Sequence, residues 1–229
     1  MAVGEESRRH SEPVLLAWSG GKDSALTLAK LQRSTRWRAV GLLTTVTEEY
    51  DRISMHGVRT SLLRAQATAA GLPLTIVRIP SGSDNESYAD RMRAALLNAR
   101  SQGIRSVAFG DLFLQDVRDY REKMLAQVGM KAVFPLWGEA TDALAEKFIA
   151  SGYRAVVTCV DTLQIPGDFA GREYDLEFLR DLPPQADPCG ERGEFHSFVH
   201  AAPCFTDSIA FTRGGTVLRD DRFMYCDLA

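Results

Sequence analysis

Short unbroken apolar runs alternate with longer segments whose apolar residues recur at helical spacing. Val14-Leu-Leu-Ala-Trp18 is one such run, closed by Ser19-Gly-Gly21. Ala25, Leu26, Leu28, Ala29 and Leu31 then follow a helical period, so the local order is strand, tight loop, helix. Residues 39–46 are rich in strand formers. Residues 59–70 place Leu62, Leu63, Ala65 and Ala69 at helical spacing and end at Gly71, and 74–79 predicts a third strand. The alternation continues with a helix over 86–100, a strand over 106–109 and a helix over 117–128. Apolar 132–134 precedes Pro135, and a helix over 141–150 and a strand over 155–160 follow. Continuous apolar strands separated by helices predict an α/β fold, a doubly wound parallel sheet covered on both faces.

Beyond Val160 the pattern changes. A short helix is expected over 174–180, then breaker-rich 182–188 and an alternating strand over 195–200. Residues 209–213 and 217–225 are expected to pair around Gly214-Gly215. This segment reads as a smaller C-terminal α+β lobe whose strands cover an edge of the main sheet. The resulting division is a flexible tail over 1–12, a nucleotide-binding domain over 13–160 and a smaller domain over 161–229, in keeping with a length between one and two ordinary domains.

Composition narrows the classes. With 45% hydrophobic and 25% charged residues the chain is no disordered polymer, and a net charge of −3 offers no electrostatic footprint for nucleic acid. No apolar run approaches the roughly 20 residues of a membrane span. Residues 1–12 are charged where a secretory signal needs an apolar stretch, so a cytoplasmic location without a membrane partner is expected. Cys159, Cys189, Cys204 and Cys226 form no C-x-x-C pair, against a zinc ribbon or redox dithiol.

Ser19-Gly-Gly-Lys-Asp-Ser24 lies between the first strand and the first helix, beyond the carboxyl end of the sheet, where ligands of doubly wound folds bind. Gly20 and Gly21 let backbone N–H groups approach an anion, the helix start adds donors and positive dipole, and Lys22 adds charge. Ser19 and Ser24 add hydroxyls. Asp23 would repel bare phosphate, so it holds the loop or sits near Mg²⁺ that bridges phosphate oxygens. A Walker loop requires Ser or Thr where Asp23 stands, which argues against γ-phosphoryl transfer.

The string resembles the S-G-G-x-D-S loop of the ATP pyrophosphatases (PP-loop proteins), which grips the pyrophosphate part of ATP and leaves the α-phosphate open. Further strings occur in order: Arg52-Ile-Ser-Met-His-Gly-Val58, Phe109-Gly-Asp111, Phe134-Pro-Leu-Trp137, Gly171-Arg-Glu-Tyr-Asp175 and Cys189-Gly-Glu-Arg-Gly-Glu-Phe-His196. Together they resemble the diphthine–ammonia ligase family over about residues 14–205. The resemblance implies an adenine nucleotide alpha hydrolase-like fold, ATP and Mg²⁺ as cofactors, and a ligase that adenylates a carboxylate, releases pyrophosphate and forms an amide with ammonia or an amine. The acceptor, a small molecule or a modified protein side chain, is expected in the cleft between the domains, with Glu191 and Glu194 facing it. The better-known ligases read G-E-G-G-E-Y-E-T where this chain has Gly190-Glu-Arg-Gly-Glu-Phe-His-Ser197, so Arg192 and His196 depart from the pattern.

The residues counted with the nucleotide are Ser19 to Ser24, Thr44, His56 and Gly110. Those counted with the chemistry are Lys22, Asp111, Glu191, Glu194 and His196, with Asp23 as the magnesium ligand. His56 contacts nucleotide or acceptor, or orders its loop; Asp111 binds magnesium or positions the amine, or caps a turn. His196 serves proton transfer or is a structural strand histidine. Trp137 reads as a packing anchor, and Arg118, Tyr120 and Arg121 as either acceptor contacts or a solvent-facing basic patch. Two other functions stay open: a non-catalytic adenine-nucleotide sensor, and a PP-loop enzyme acting on RNA. The oligomeric state is not read from sequence, a homodimer being one option.

Overall fold

The first apolar run becomes the centre of a sheet. In the computed structural model, which describes residues 11–229, β1 (Glu12–Ala17) sends Val14 and Leu16 into one hydrophobic cluster and Leu15 into another. A strand buried on both faces has no polar side, which is why it reads as an unbroken apolar run. The parallel order is β4 (Leu74–Ile79), β2 (Trp37–Thr47), β1, β5 (Ser106–Ala108), β6 (Lys131–Val133). Helices α1 (Lys22–Arg33), α2 (Thr60–Ala69) and α5 (Thr141–Ala150) cover one face; α3 (Asn85–Ser101) and α4 (Gln115–Ala126) cover the other. The doubly wound α/β fold expected from sequence is the one observed. Chain order reverses at β1, so the crevice between the carboxyl ends of β1 and β5 is the switch point at which such sheets bind ligands.

The two-residue β3 (Arg52–Ile53) pairs antiparallel with Val46 and Thr47 at the end of β2. The other edge of β2 carries β4 at these same residues, so β3 takes the edge beyond the end of β1. That placement swings the following turn over the loop after β1.

The second sheet is antiparallel, in the order β8 (Phe195–Ala201), β7 (Arg154–Asp161), β10 (Phe223–Leu228), β9 (Arg213–Arg219). β7 corrects the sequence reading, which made 155–160 the last strand of the parallel sheet. Every β7 residue after Arg154 is buried, and a central antiparallel strand covered on both faces carries the same apolar run as a parallel one. A second correction concerns the last hairpin: Gly214 and Gly215 lie within β9, and the chain reverses at Asp220-Asp221, both at positive φ (52° and 49°). Aspartate tolerates this conformation better than most residues, and the Asp-Asp pair carries the turn signal that the glycines suggested.

Tyr174, the short α6 (Leu176–Asp181) through Phe178, and Phe195 of β8 pack their rings together with Phe148 of α5. Burial of these large rings joins the second sheet to the first in one continuous core. The tail expected over 1–12 lies, up to residue 10, outside the described residues; Ser11 is buried and Glu12 opens β1. Among the described residues, no helix is long and apolar enough to cross a membrane.

Candidate functional site at the phosphate loop

The Ser19–Gly21 loop is fixed from three sides. Its own hydroxyls bond within it: Gly21 N–H donates to Ser19 Oγ (3.2 Å) and Ser24 Oγ donates to the Gly21 carbonyl (2.8 Å). The second sheet holds it through Val199 N–H to the Gly20 carbonyl (2.9 Å) and Lys22 N–H to Ser197 Oγ (3.3 Å). From α2, fully buried Gln66 donates to the carbonyls of Gly20 (2.9 Å) and Val199 (2.6 Å) and accepts from Trp18 Nε1 (2.9 Å). Gln66 was not singled out from the sequence, yet a glutamine at the buried helical position shared with Leu62 and Leu63 is the signal that would have found it.

α1 begins directly after the loop with Gly21 at its N-cap, where no side chain caps it, and Ser197 takes only the Lys22 N–H. The next donors, of Asp23 and Ser24, belong to residues that line the cavity, at the positive end of the helix dipole. Glycine is required at the loop and beyond it for close approach. A Cβ on Gly21 would lie 3.0 Å from the Ser197 carbonyl oxygen, and one on Gly110 3.0 Å from the backbone carbon of Asp23. Gly110→Ala is thus expected to push β5 from α1, costing about 1–3 kcal/mol as an overpacked contact does. Urea denaturation measures this, and unchanged stability would contradict it.

A cavity of about 370 Å³ opens above this loop, lined by Ser19, Gly21 to Ser24, Thr44, His56, Gly110, Asp111, Glu191, His196 and Ser197 among others. Buried polar atoms nearly always find partners. Among the described residues those without a hydrogen bond are Asp23 Oδ1, Thr44 Oγ1, His56 Nδ1, Asp111 Oδ2 and Arg121 Nε, the last two facing each other as an ion pair, and all five residues line this cavity. Its other wall is apolar, with Leu43, Met92, Leu96, Val107 and Phe109.

Lys22 is buried, and its ammonium donates to Asp23 Oδ2 (2.8 Å) and to the Cys189 carbonyl, 5.4 Å from the Phe195 ring centroid. Burial opposes its charge, but Asp23 beside it, with Cys189 and Glu191 nearby, outweighs that and raises its pKa above the usual lysine value. Asp111 stands 3.7 Å from Arg121 Nε without a hydrogen bond, and burial raises its pKa against the opposing guanidinium. Arg121 lies over the Phe109 ring, whereas Arg118 stacks on Phe134 and Trp137 outside the cavity. Trp137 is a packing residue there.

The Cys189–Ser197 segment supplies the facing wall. Glu191 Oε1 accepts from Leu112 N–H (2.7 Å) and Phe113 N–H (3.4 Å), tying the second sheet's loop to the end of β5. Burial, then the charges of Asp23 and Asp111, push its pKa up to about 7. His196 stacks on His56 with ring centroids 4.2 Å apart. Burial and then Lys22 bring His196 down to about 4; burial, His196 and Lys22 hold His56 well below the histidine range.

Glu194 does not join them. Both its oxygens are taken by backbone amides of its own loop, Asp187 N–H (2.7 Å) and Arg192 N–H (3.0 Å), and it does not line the cavity. With buried Asp187, which accepts from the Cys189 and Glu191 amides, it shapes the loop that presents Glu191. Glu194→Gln turns an amide donor toward one of these N–H groups, with an expected loss of about 1.5–3 kcal/mol in urea denaturation. A variant as stable as the wild type would rule out this bracing role.

A phosphate loop after the first strand, at the switch point of a Rossmann-like sheet, places the chain in the nucleotide-binding class of α/β proteins. The model of the diphthamide synthase N-terminal domain family matches residues 13–132, just over half of the chain, and the chain belongs to that family. No curated protein matches the sequence.

Proposed function

We propose that this protein is an ATP-dependent, AMP-forming ligase that adenylates a carboxylate and passes the acyl group to ammonia or an amine, as in the diphthine–ammonia ligases it resembles. The observation that carries this reading is the convergence of five buried polar atoms without a hydrogen bond on one cavity beside the phosphate loop. A triphosphate suits the loop and the start of α1, and the apolar wall suits a base. The family is one of PP-loop ATP-using enzymes.

In this reading, an acceptor carboxylate oxygen attacks the α-phosphorus, the bond to the bridging oxygen breaks, and pyrophosphate leaves with the electron pair. The amine then attacks the acyl carbon, AMP departs and the amine loses a proton. The loop donors and Lys22 stabilise charge on the departing pyrophosphate. Asp23 and Asp111, each with a buried carboxylate oxygen that has no hydrogen bond, would hold Mg²⁺, a hard cation suited to one or two carboxylates. Magnesium when bound supplies further charge neutralisation. Glu191, with a pKa of about 7 at the cavity wall, is the base for the amine proton. His196 stands where the better-known ligases carry a carboxylate, so the acceptor surface differs from theirs.

Exchange of labelled pyrophosphate into ATP, run over a panel of carboxylic acids, tests the proposal. Acid-dependent exchange is expected, because it requires a reversible adenylate. Tight ATP binding with no exchange across the panel would turn the reading to a nucleotide-binding protein without catalysis.

A further inference from the structure

Cross-strand register aligns three side chains of the second sheet. Tyr225 of β10 pairs with Cys159 of β7, and Cys159 pairs with His196 of β8, so the three project from one face as a row. The turn after β3 lies across that row. His56 stacks on His196, and Gly57 beside it sits against Tyr225 so closely that a Cβ would come within 2.9 Å of the ring.

The turn is closed by Gly57 N–H to the Ile53 carbonyl (3.0 Å) and Ile53 N–H to the Val58 carbonyl (2.9 Å). Both its ends are tied to the last strand. Asp227 accepts from Arg52 (2.8 Å) and Arg59 (2.7 Å), and Arg52 also donates to the Gly57 carbonyl (2.8 Å). Neither Tyr225 nor Asp227 lines the cavity.

We infer that β10 is a positioning element of the nucleotide site: Tyr225, through Gly57, sets the height of His56 over the phosphate loop, and Asp227 locks the turn by its two arginines. His56 borders the loop directly, since a Cβ on Gly21 would lie 3.5 Å from its Cε1. Lifting the turn would therefore open the wall of the loop and admit water between the two imidazoles. The effect on ATP rests on reading the cavity as an ATP site; the effect on His56 does not.

The test is an NMR titration of the histidine Cε1 protons in the ligand-free protein, with His56 assigned by His56→Gln. In Tyr225→Ala the His56 pKa is expected to climb toward the ordinary value of ~6.5 as burial is relieved and the turn leaves His196 and Lys22. Tyr225→Phe keeps the ring and the wild-type titration. Asp227→Asn, which leaves the core intact, shifts His56 in the same direction as Tyr225→Ala. Asp181→Ala, which breaks an exposed pair with Arg172 far along the chain, leaves it unmoved. ATP affinity by calorimetry is expected to fall roughly tenfold in Tyr225→Ala, a change of about 1.4 kcal/mol. An unmoved His56 titration in folded Tyr225→Ala and Asp227→Asn would overturn the positioning role. Failure of the wild type to bind ATP would instead sink the nucleotide reading and leave the titration to decide the role of β10.

Discussion

Lys22→Met is expected to lose both stability and ATP binding. The ammonium is the partner of partly buried Asp23 and of the Cys189 carbonyl, at the seam where the phosphate loop meets the second sheet. Removing one member of a fully buried ion pair typically costs about 3–5 kcal/mol, and the partial exposure of the remaining Asp23 puts the loss here at the low end, about 3 kcal/mol. Loss of a charged donor from the loop weakens ATP affinity by roughly ten- to a hundredfold, the equivalent of about 1.5–3 kcal/mol. Lys22→Arg fails as well, since the planar guanidinium does not fit among Cys189, Tyr174 and Phe195 as a compact ammonium does. Urea denaturation and calorimetry separate the two effects, and a folded Lys22→Met variant with wild-type ATP affinity would remove Lys22 from the nucleotide site.

Glu191→Gln is expected to do the reverse, sparing ATP affinity within about threefold, or ~0.7 kcal/mol, while turnover falls by roughly 10²–10⁴-fold. Glutamine can still accept from the Leu112 and Phe113 amides, so the strap to β5 survives and the base is lost. Wild-type turnover rises with pH as Glu191 ionises, below about 7 because magnesium on Asp23 and Asp111 would offset two of the charges that raise it, and this limb disappears in the variant. Stability follows the same group. A carboxyl held at about 7 in the folded chain and 4.5 when unfolded contributes fully below 4.5, and this contribution is lost as pH rises through 7. His196, near 4 when folded against 6.5, acts oppositely: its contribution is present above 6.5 and lost as pH falls through 4. Between about 4.5 and 6.5 the two slopes oppose each other, so denaturation midpoints of Glu191→Gln should rise more steeply with pH than those of the wild type. Identical pH profiles of both rate and stability would exclude Glu191 as the titrating group.

The parallel sheet was legible because its strands are short, apolar and regularly spaced by helices. The loop was legible because Gly-Gly-Lys at a strand-to-helix junction has few other uses. Less legible was the second sheet. The buried run of β7 has no feature that separates a covered antiparallel strand from a parallel one, and the turn at Asp220-Asp221 lacks the glycine signal. Among the site residues, Glu191 and Glu194 look equivalent in the string Gly-Glu-Arg-Gly-Glu. Only the fold shows that one reaches the end of β5 and the other folds back on its own loop. Arg121 was legible only as an ambiguous charge on a helix. Its place beside Asp111 and over Phe109 follows from the approach of α4 to β5, which no local spacing encodes.

The bond broken in ATP decides the reading more than any side chain. Wild-type protein given magnesium, ATP labelled at the α-phosphate, ammonium and a panel of carboxylic acids should yield labelled AMP with an equal amount of pyrophosphate, resolved by ion-exchange chromatography. An ATP analogue with a non-hydrolysable α–β linkage should bind and block turnover, whereas a β–γ-blocked analogue should remain a substrate. Acid-dependent formation of ADP and inorganic phosphate would contradict adenylation and place the chemistry at the γ-phosphate instead.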